Sequence, residues 1–83
     1  MISIEDIENF KVEENTISFE YSGENSNFLY DICDLHGSVV LKGNLDNTKN
    51  RYEINLDQLQ EGHYELVLID GSKLNRIGFR IRE

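Results

Sequence analysis

Proline, tryptophan and alanine are all absent from this 83-residue chain, cysteine occurs once, and eight basic residues stand against sixteen acidic ones. Alanine is the strongest helix former, so its absence beside many Ile, Val, Tyr and Phe speaks against a helical fold and for strands. Cys33 alone can form no internal disulfide, which suits a reducing compartment without establishing one. No run of about 18 apolar residues occurs, so no membrane insertion is expected. The shortage of Lys and Arg leaves a formal net charge of -8. That balance argues against nucleic acid as a partner, because phosphate-backbone binders gain affinity by neutralising phosphates with basic side chains. The opening residues MISIEDIE are acidic where a signal peptide is basic. As it stands the chain reads as cytoplasmic; a processed fragment would be secreted or displayed at the cell surface.

Hydrophobic residues at 39% and charged residues at 29% match an ordinary globular chain. Its length allows one domain over residues 1–83, with a thin core and little room for an enclosed cavity. Strict alternation marks Ile17, Phe19 and Tyr21, then Tyr52, Ile54 and Leu56, then Tyr64, Leu66 and Leu68 as inward faces of half-buried strands. Tyr30 and Ile32, Val40, and Ile77, Phe79 and Ile81 extend the pattern between turn-prone stretches. Strands are expected near 10–13, 16–22, 27–34, 38–43, 51–56, 63–70 and 74–82. Asp70-Gly71 is a strong hairpin signal, read as a type I′ turn. Seven short antiparallel strands predict an all-β fold, a small immunoglobulin-like β-sandwich. Residues 1–9 suit either a short docked helix, from Ser3 with Asp6 as a capping box, or an irregular strand.

The stretch from Phe28 to Ile81, about two thirds of the chain, carries Tyr30-Asp31-Ile32-Cys33-Asp34-Leu35-His36-Gly37-Ser38-Val39-Val40. Ile54-Asn55-Leu56 follows with Leu59, Gly62 and Tyr64, then Leu66, Leu68, Asp70-Gly71 and Phe79. This run resembles the C-terminal sorting domain of the type IX secretion system and related small immunoglobulin-like modules of Bacteroidetes. The resemblance implies a non-catalytic module of that shape from an exported or surface system. The chain departs from the sorting domains in lacking their Pro-containing motif.

No constellation for catalysis can be assembled from the remaining chemistry. His36 and His63 fall in turns beside Gly37 and Gly62 without zinc-ligand spacing, and no cofactor or metal site is expected. Cys33 lies near Asp31 and Asp34, which oppose thiolate formation. Asp34, Asp46, Asp57 and Asp70 suit turns by local hydrogen bonding, with no EF-hand spacing for calcium. There is no Gly-rich phosphate loop and no nucleophile elbow. All four Tyr take the inward phase, which disfavours an aromatic platform for sugars.

Two surface features stand out, the first explained by pairing within the chain and the second pointing to a partner. Residues 1–24 hold seven acidic residues against Lys11, whereas residues 73–83 hold Lys73, Arg76, Arg80 and Arg82 against Glu83. If the first strand lies beside the last, Glu13 or Glu14 would pair with Arg80 or Arg82. The second feature is apolar residues in the outward phase of the third and sixth strands, which neighbour one another in an immunoglobulin-like sheet. Leu29, Cys33, Val67 and Ile69, with Val39 or Leu41 close by, would form one exposed patch unless Ile2, Ile4 and Ile7 cover it. The expected function is therefore a non-enzymatic interaction module that docks a protein partner, or a second copy as a homodimer. The alternatives are a small acidic inhibitor imitating nucleic-acid phosphates and a carbohydrate-binding accessory of the cell surface.

The strand phase makes a prediction of its own. Phe19→Ala or Leu66→Ala should cost about 2–5 kcal/mol in denaturant unfolding, and Ile69→Glu far less.

Overall fold

A computed structural model of the chain describes residues 6–23, 27–46 and 48–82. It is all-β among those residues, with seven strands: β1 (Glu8–Glu13), β2 (Thr16–Glu20), β3 (Asn27–Asp34), β4 (Val39–Asp46), β5 (Arg51–Asn55), β6 (Gly62–Asp70) and β7 (Lys73–Ile81). Two antiparallel sheets face each other, ordered β1-β2-β5 and β4-β3-β6-β7. The expected strands are all present, with ends shifted by a few residues, and β3 and β6 are neighbours as the sandwich reading required. No helix occurs among the described residues, and β1 begins at Glu8 as an irregular strand. Residues 1–5, including Ile2 and Ile4, lie outside the described residues.

The core is the sum of the inward phases. Ile17, Phe19, Phe28, Ile32, Leu56, Leu66, Leu68 and Ile81 are fully buried between the sheets. Ile7 joins this cluster rather than covering an outer face. A bulge between Glu8 and Lys11 adds one residue to β1 opposite β2. Asn9 absorbs it at φ 53, a conformation Asn tolerates better than most residues. Phe10, in the same phase as Val12, packs against the core, its ring centroid 6.4 Å from that of Phe19 and 5.8 Å from that of Phe79 in the opposite sheet.

Polar side chains fix the connections. Asp34 Oδ1 accepts the backbone N–H groups of His36 and Ser38, both at 2.9 Å. Gly37 sits there at φ 86, where the positive angle costs a glycine nothing. After β5 the chain crosses between sheets through Leu56 and Leu59, and Tyr64 Oη donates back to the Gln60 carbonyl at 2.7 Å. This is the tyrosine corner found in immunoglobulin-like sandwiches. Tyr52 Oη similarly donates to the carbonyls of Asp46 and Lys49. At the same end of the sandwich Tyr21 Oη donates to Asp70 Oδ2 at 2.8 Å, both side chains buried. The entering chain is tied to β7 by the Asp6 N–H on Asn75 Oδ1 and by Asp6–Lys73, at 3.1 and 2.6 Å.

Two expectations are corrected. In the β6–β7 hairpin Asp70 pairs with Lys73, leaving Gly71 and Ser72 as the loop. Only Gly71 of the two has positive φ, at 63, so the turn has the form of type II′ rather than I′. β1 pairs with β2 while β7 lies in the other sheet, so the first and last strands share no ladder. Glu13 and Glu14 accordingly form no ion pair with Arg80 or Arg82. Ion pairs form instead between Arg51 and Glu20 at 3.7 Å and between Arg76 and Glu65 at 3.8 Å.

The β1–β2 turn carries local strain. Glu14 holds φ 53, a left-handed conformation that costs a side chain of this kind roughly 1–2 kcal/mol. Glu14→Gly should therefore stabilise the protein by about 1 kcal/mol after the flexibility of glycine is offset, read as a raised denaturant midpoint with unchanged m-value.

Candidate functional site

Register places the side chains of the outer face of the four-stranded sheet in rows, because directly opposed residues of antiparallel strands point to the same side. The first row is Asn44 on β4, Leu29 on β3, Ile69 on β6 and Leu74 on β7. Leu29 is 46% exposed and Leu74 54%, with Ile69 half-buried between them. Three adjacent strands thus contribute one contiguous apolar strip. The second row is Lys42, Asp31, Val67 and Arg76. The third sets Cys33 between Val39 and Glu65.

Of the residues expected in the patch, the fold brings Leu29, Ile69, Val67 and Cys33 onto one face. They are not equally available. Val67 is only 9% exposed; it sits on a central strand with side chains on every side, between Asp31 and Arg76 in its own row. Leu41 does not belong to this face. A register shift between Ile32 and Cys33 sets Leu41 opposite Ile32, and it packs against the core from the inner side. Val39 and Val40 are the exposed apolar residues of β4.

Leu74 was missed by sequence reasoning, although the signal for it existed. With Ile77, Phe79 and Ile81 inward, Leu74 falls on the outward phase of β7, as Leu29 and Ile69 do on their strands. The strip lies beside a shallow hollow of about 310 Å³ bordered by Leu29, Asp31, Lys42, Asn44 and Ile69.

The opposite face of the molecule is polar. Thr16, Ser18 and Glu20 on β2 lie in register with Asn55, Glu53 and Arg51 on β5. Arg51 Nη2 donates to Ser18 Oγ at 3.1 Å. Glu8, Glu13, Glu20 and Glu53 share this face with Lys11 and Arg51, and Glu14 in the β1–β2 turn borders the same hollow as Glu13 and Glu53, while Asp6 is engaged by Lys73. Lys11 and Arg51 interrupt these acidic residues, and Glu5 and Glu24 lie outside the described residues. All four Tyr and four Phe are buried or half-buried, so the paired exposed rings that a sugar platform requires are not formed.

Chemistry on the apolar face is muted. Burial, then the carboxylates of Asp31, Glu65 and Asp34, push the Cys33 thiol above its ordinary pKa of 9.0, against a weaker opposing pull from Arg76. A thiol held protonated is a poor nucleophile. His36 and His63 are exposed, and no group of three or more metal-ligating side chains converges among the described residues.

The family described as secretion system C-terminal sorting domain matches residues 3–77. No curated protein matches the chain.

The thiol reading predicts an outcome. At pH 8 Cys33 should be alkylated by iodoacetamide several-fold more slowly than an unstructured cysteine peptide, and its rate should still be rising beyond pH 9. A plateau below pH 8 would contradict the assigned environment.

Proposed function

The chain belongs to the secretion system C-terminal sorting domain family, and from that premise we propose that it marks a protein for export by docking a component of the export machinery through the outer face of its four-stranded sheet. The family is a sorting domain rather than a catalytic one, and membership places the chain with secreted or cell-surface proteins. That supports the secreted or cell-surface reading over the cytoplasmic one.

The observation that supports the docking face is the apolar row Leu29, Ile69 and Leu74, contributed by three adjacent strands and set against a polar opposite face. Exposed apolar side chains in contact with one another cost solubility and are retained where a partner covers them. The neighbouring Lys42, Asp31, Glu65 and Arg76 supply a polar rim of both signs, which fixes orientation more than it adds affinity. Cys33 and Val67 contribute packing beneath the contact rather than chemistry.

The test is export of a reporter fused ahead of residues 1–83, in cells carrying a type IX system. The native domain should bring the reporter to the cell surface. Leu29→Glu/Ile69→Glu/Leu74→Glu should reduce surface display at least tenfold while the purified variant retains its strand circular dichroism. Glu13→Lys/Glu53→Lys, on the opposite face, should export normally. Equal loss from both faces, or none from the apolar one, would remove the assignment.

A further inference from the structure

The two sheets end in four edge strands, and three of them are blunted. β1 is broken by the bulge at Asn9, β5 is only five residues long, and β7 carries Lys73, Arg76 and Arg80. Bulges, short length and cations are the usual devices against edge-to-edge pairing. β4 is different. It runs for eight residues with only Lys42 and Asp46 charged, and among the described residues it has a strand neighbour on one side alone. Its register shift lies at the Val39 end, so Leu41–Asp46 is regular strand.

We propose that β4 pairs antiparallel with β4 of a second copy of this chain, about a two-fold axis at Asn44. The strand is self-complementary in this register and in no neighbouring one. Lys42 comes opposite Asp46 of the other copy, and Asp46 opposite its Lys42, both on the outer face. Centring one residue earlier, on Gly43, would set Lys42 against Asn44, and centring on Lys42 would oppose two like charges.

The inner face also matches. Leu45, half-buried at the sheet edge, comes opposite Gly43 of the other copy. Gly43 is bare because the Tyr30 ring lies over it: a Cβ there would stand 2.9 Å from Tyr30 Cε2. Leu45 would thus gain an aromatic surface that its own sheet leaves at the edge. Pairing makes one eight-stranded sheet, and the row Leu74, Ile69, Leu29 and Asn44 becomes continuous with its symmetry mate. This interface does not depend on the export reading, because it is tested on the purified chain without export machinery.

The register is read most directly by crosslinking. In a Cys33→Ser background, Asn44→Cys should form a disulfide-linked dimer on mild oxidation. Opposed strand residues on the axis stand about 4.5–5.5 Å apart at Cα, within disulfide reach. Lys42→Cys in the same background, facing Asp46 of the other copy, should crosslink far more slowly. In sedimentation equilibrium Lys42→Asp should raise the dimer dissociation constant about tenfold or more, and Lys42→Asp/Asp46→Lys should restore it. Circular dichroism of each variant separates loss of pairing from loss of fold. A native chain that sediments as a monomer at every concentration, or Lys42→Cys crosslinking as fast as Asn44→Cys, overturns the proposal.

Discussion

Seven aromatic rings in a single chain of contacts hold the two sheets together. Tyr64 meets Phe79, which meets Phe10, then Phe19, Tyr52, Phe28 and Tyr21, with successive centroids 4.7 to 6.4 Å apart. The series passes from the β6–β7 hairpin to β1, β2 and β5 and returns to β3, so each sheet supplies rings that the other must cover. A domain of this length, with neither disulfide nor tryptophan, depends on such large side chains because aromatic rings bury the most apolar area per residue. The three tyrosines of the series also hold loops by their hydroxyls, on Gln60, on Asp46 and Lys49, and on Asp70. Core packing and loop geometry are therefore fixed by the same residues.

Much of this was legible in the alternation of apolar residues, since a period of two assigns each side chain to a face regardless of where its strand lies. The strands and the inward tyrosines followed from it, whereas the pairing of β3 with β6 followed from the immunoglobulin-like arrangement of the strands. What failed were inferences that depend on how faces are numbered across an irregularity. Leu41 was misplaced because a single extra residue in β4 shifts the phase of everything beyond it, and neither Val39 nor Val40 announces which of them is extra. The expected pairing of Glu13 or Glu14 with Arg80 or Arg82 failed differently. It relied on which strands lie side by side, and alternation carries no information on that.

Val67 separates phase from exposure. It points outward as its position in β6 requires, yet it is shielded because a central strand has neighbours on both sides and this row brings Asp31 and Arg76 against it. Leu29 and Leu74 are more open although their phase is the same, for their row ends on the shorter side chain of Asn44 and at the hairpin. The outer face of the four-stranded sheet was thus recoverable from the sequence as a set of strands, but which of its side chains are exposed was not. Exposure is decided by the sizes of cross-strand neighbours, and those require the register.

The distribution of charge follows from the same register. Cations and anions on the outer faces are matched locally, as in Arg51 with Glu20 and Arg76 with Glu65. Lys42 faces Asp31 across its own sheet and Asp46 Oδ1 accepts the Thr48 N–H, but among the described residues no strand lies on the other side of β4, and at that edge Lys42 and Asp46 stand four residues apart on one face of the strand. Two charges of opposite sign at that spacing are inert within one molecule, since a strand separates them by two pleats. Turned antiparallel against a copy of itself, the same strand satisfies both charges at once, and the edge of a small sandwich, otherwise a liability, acquires a single preferred register.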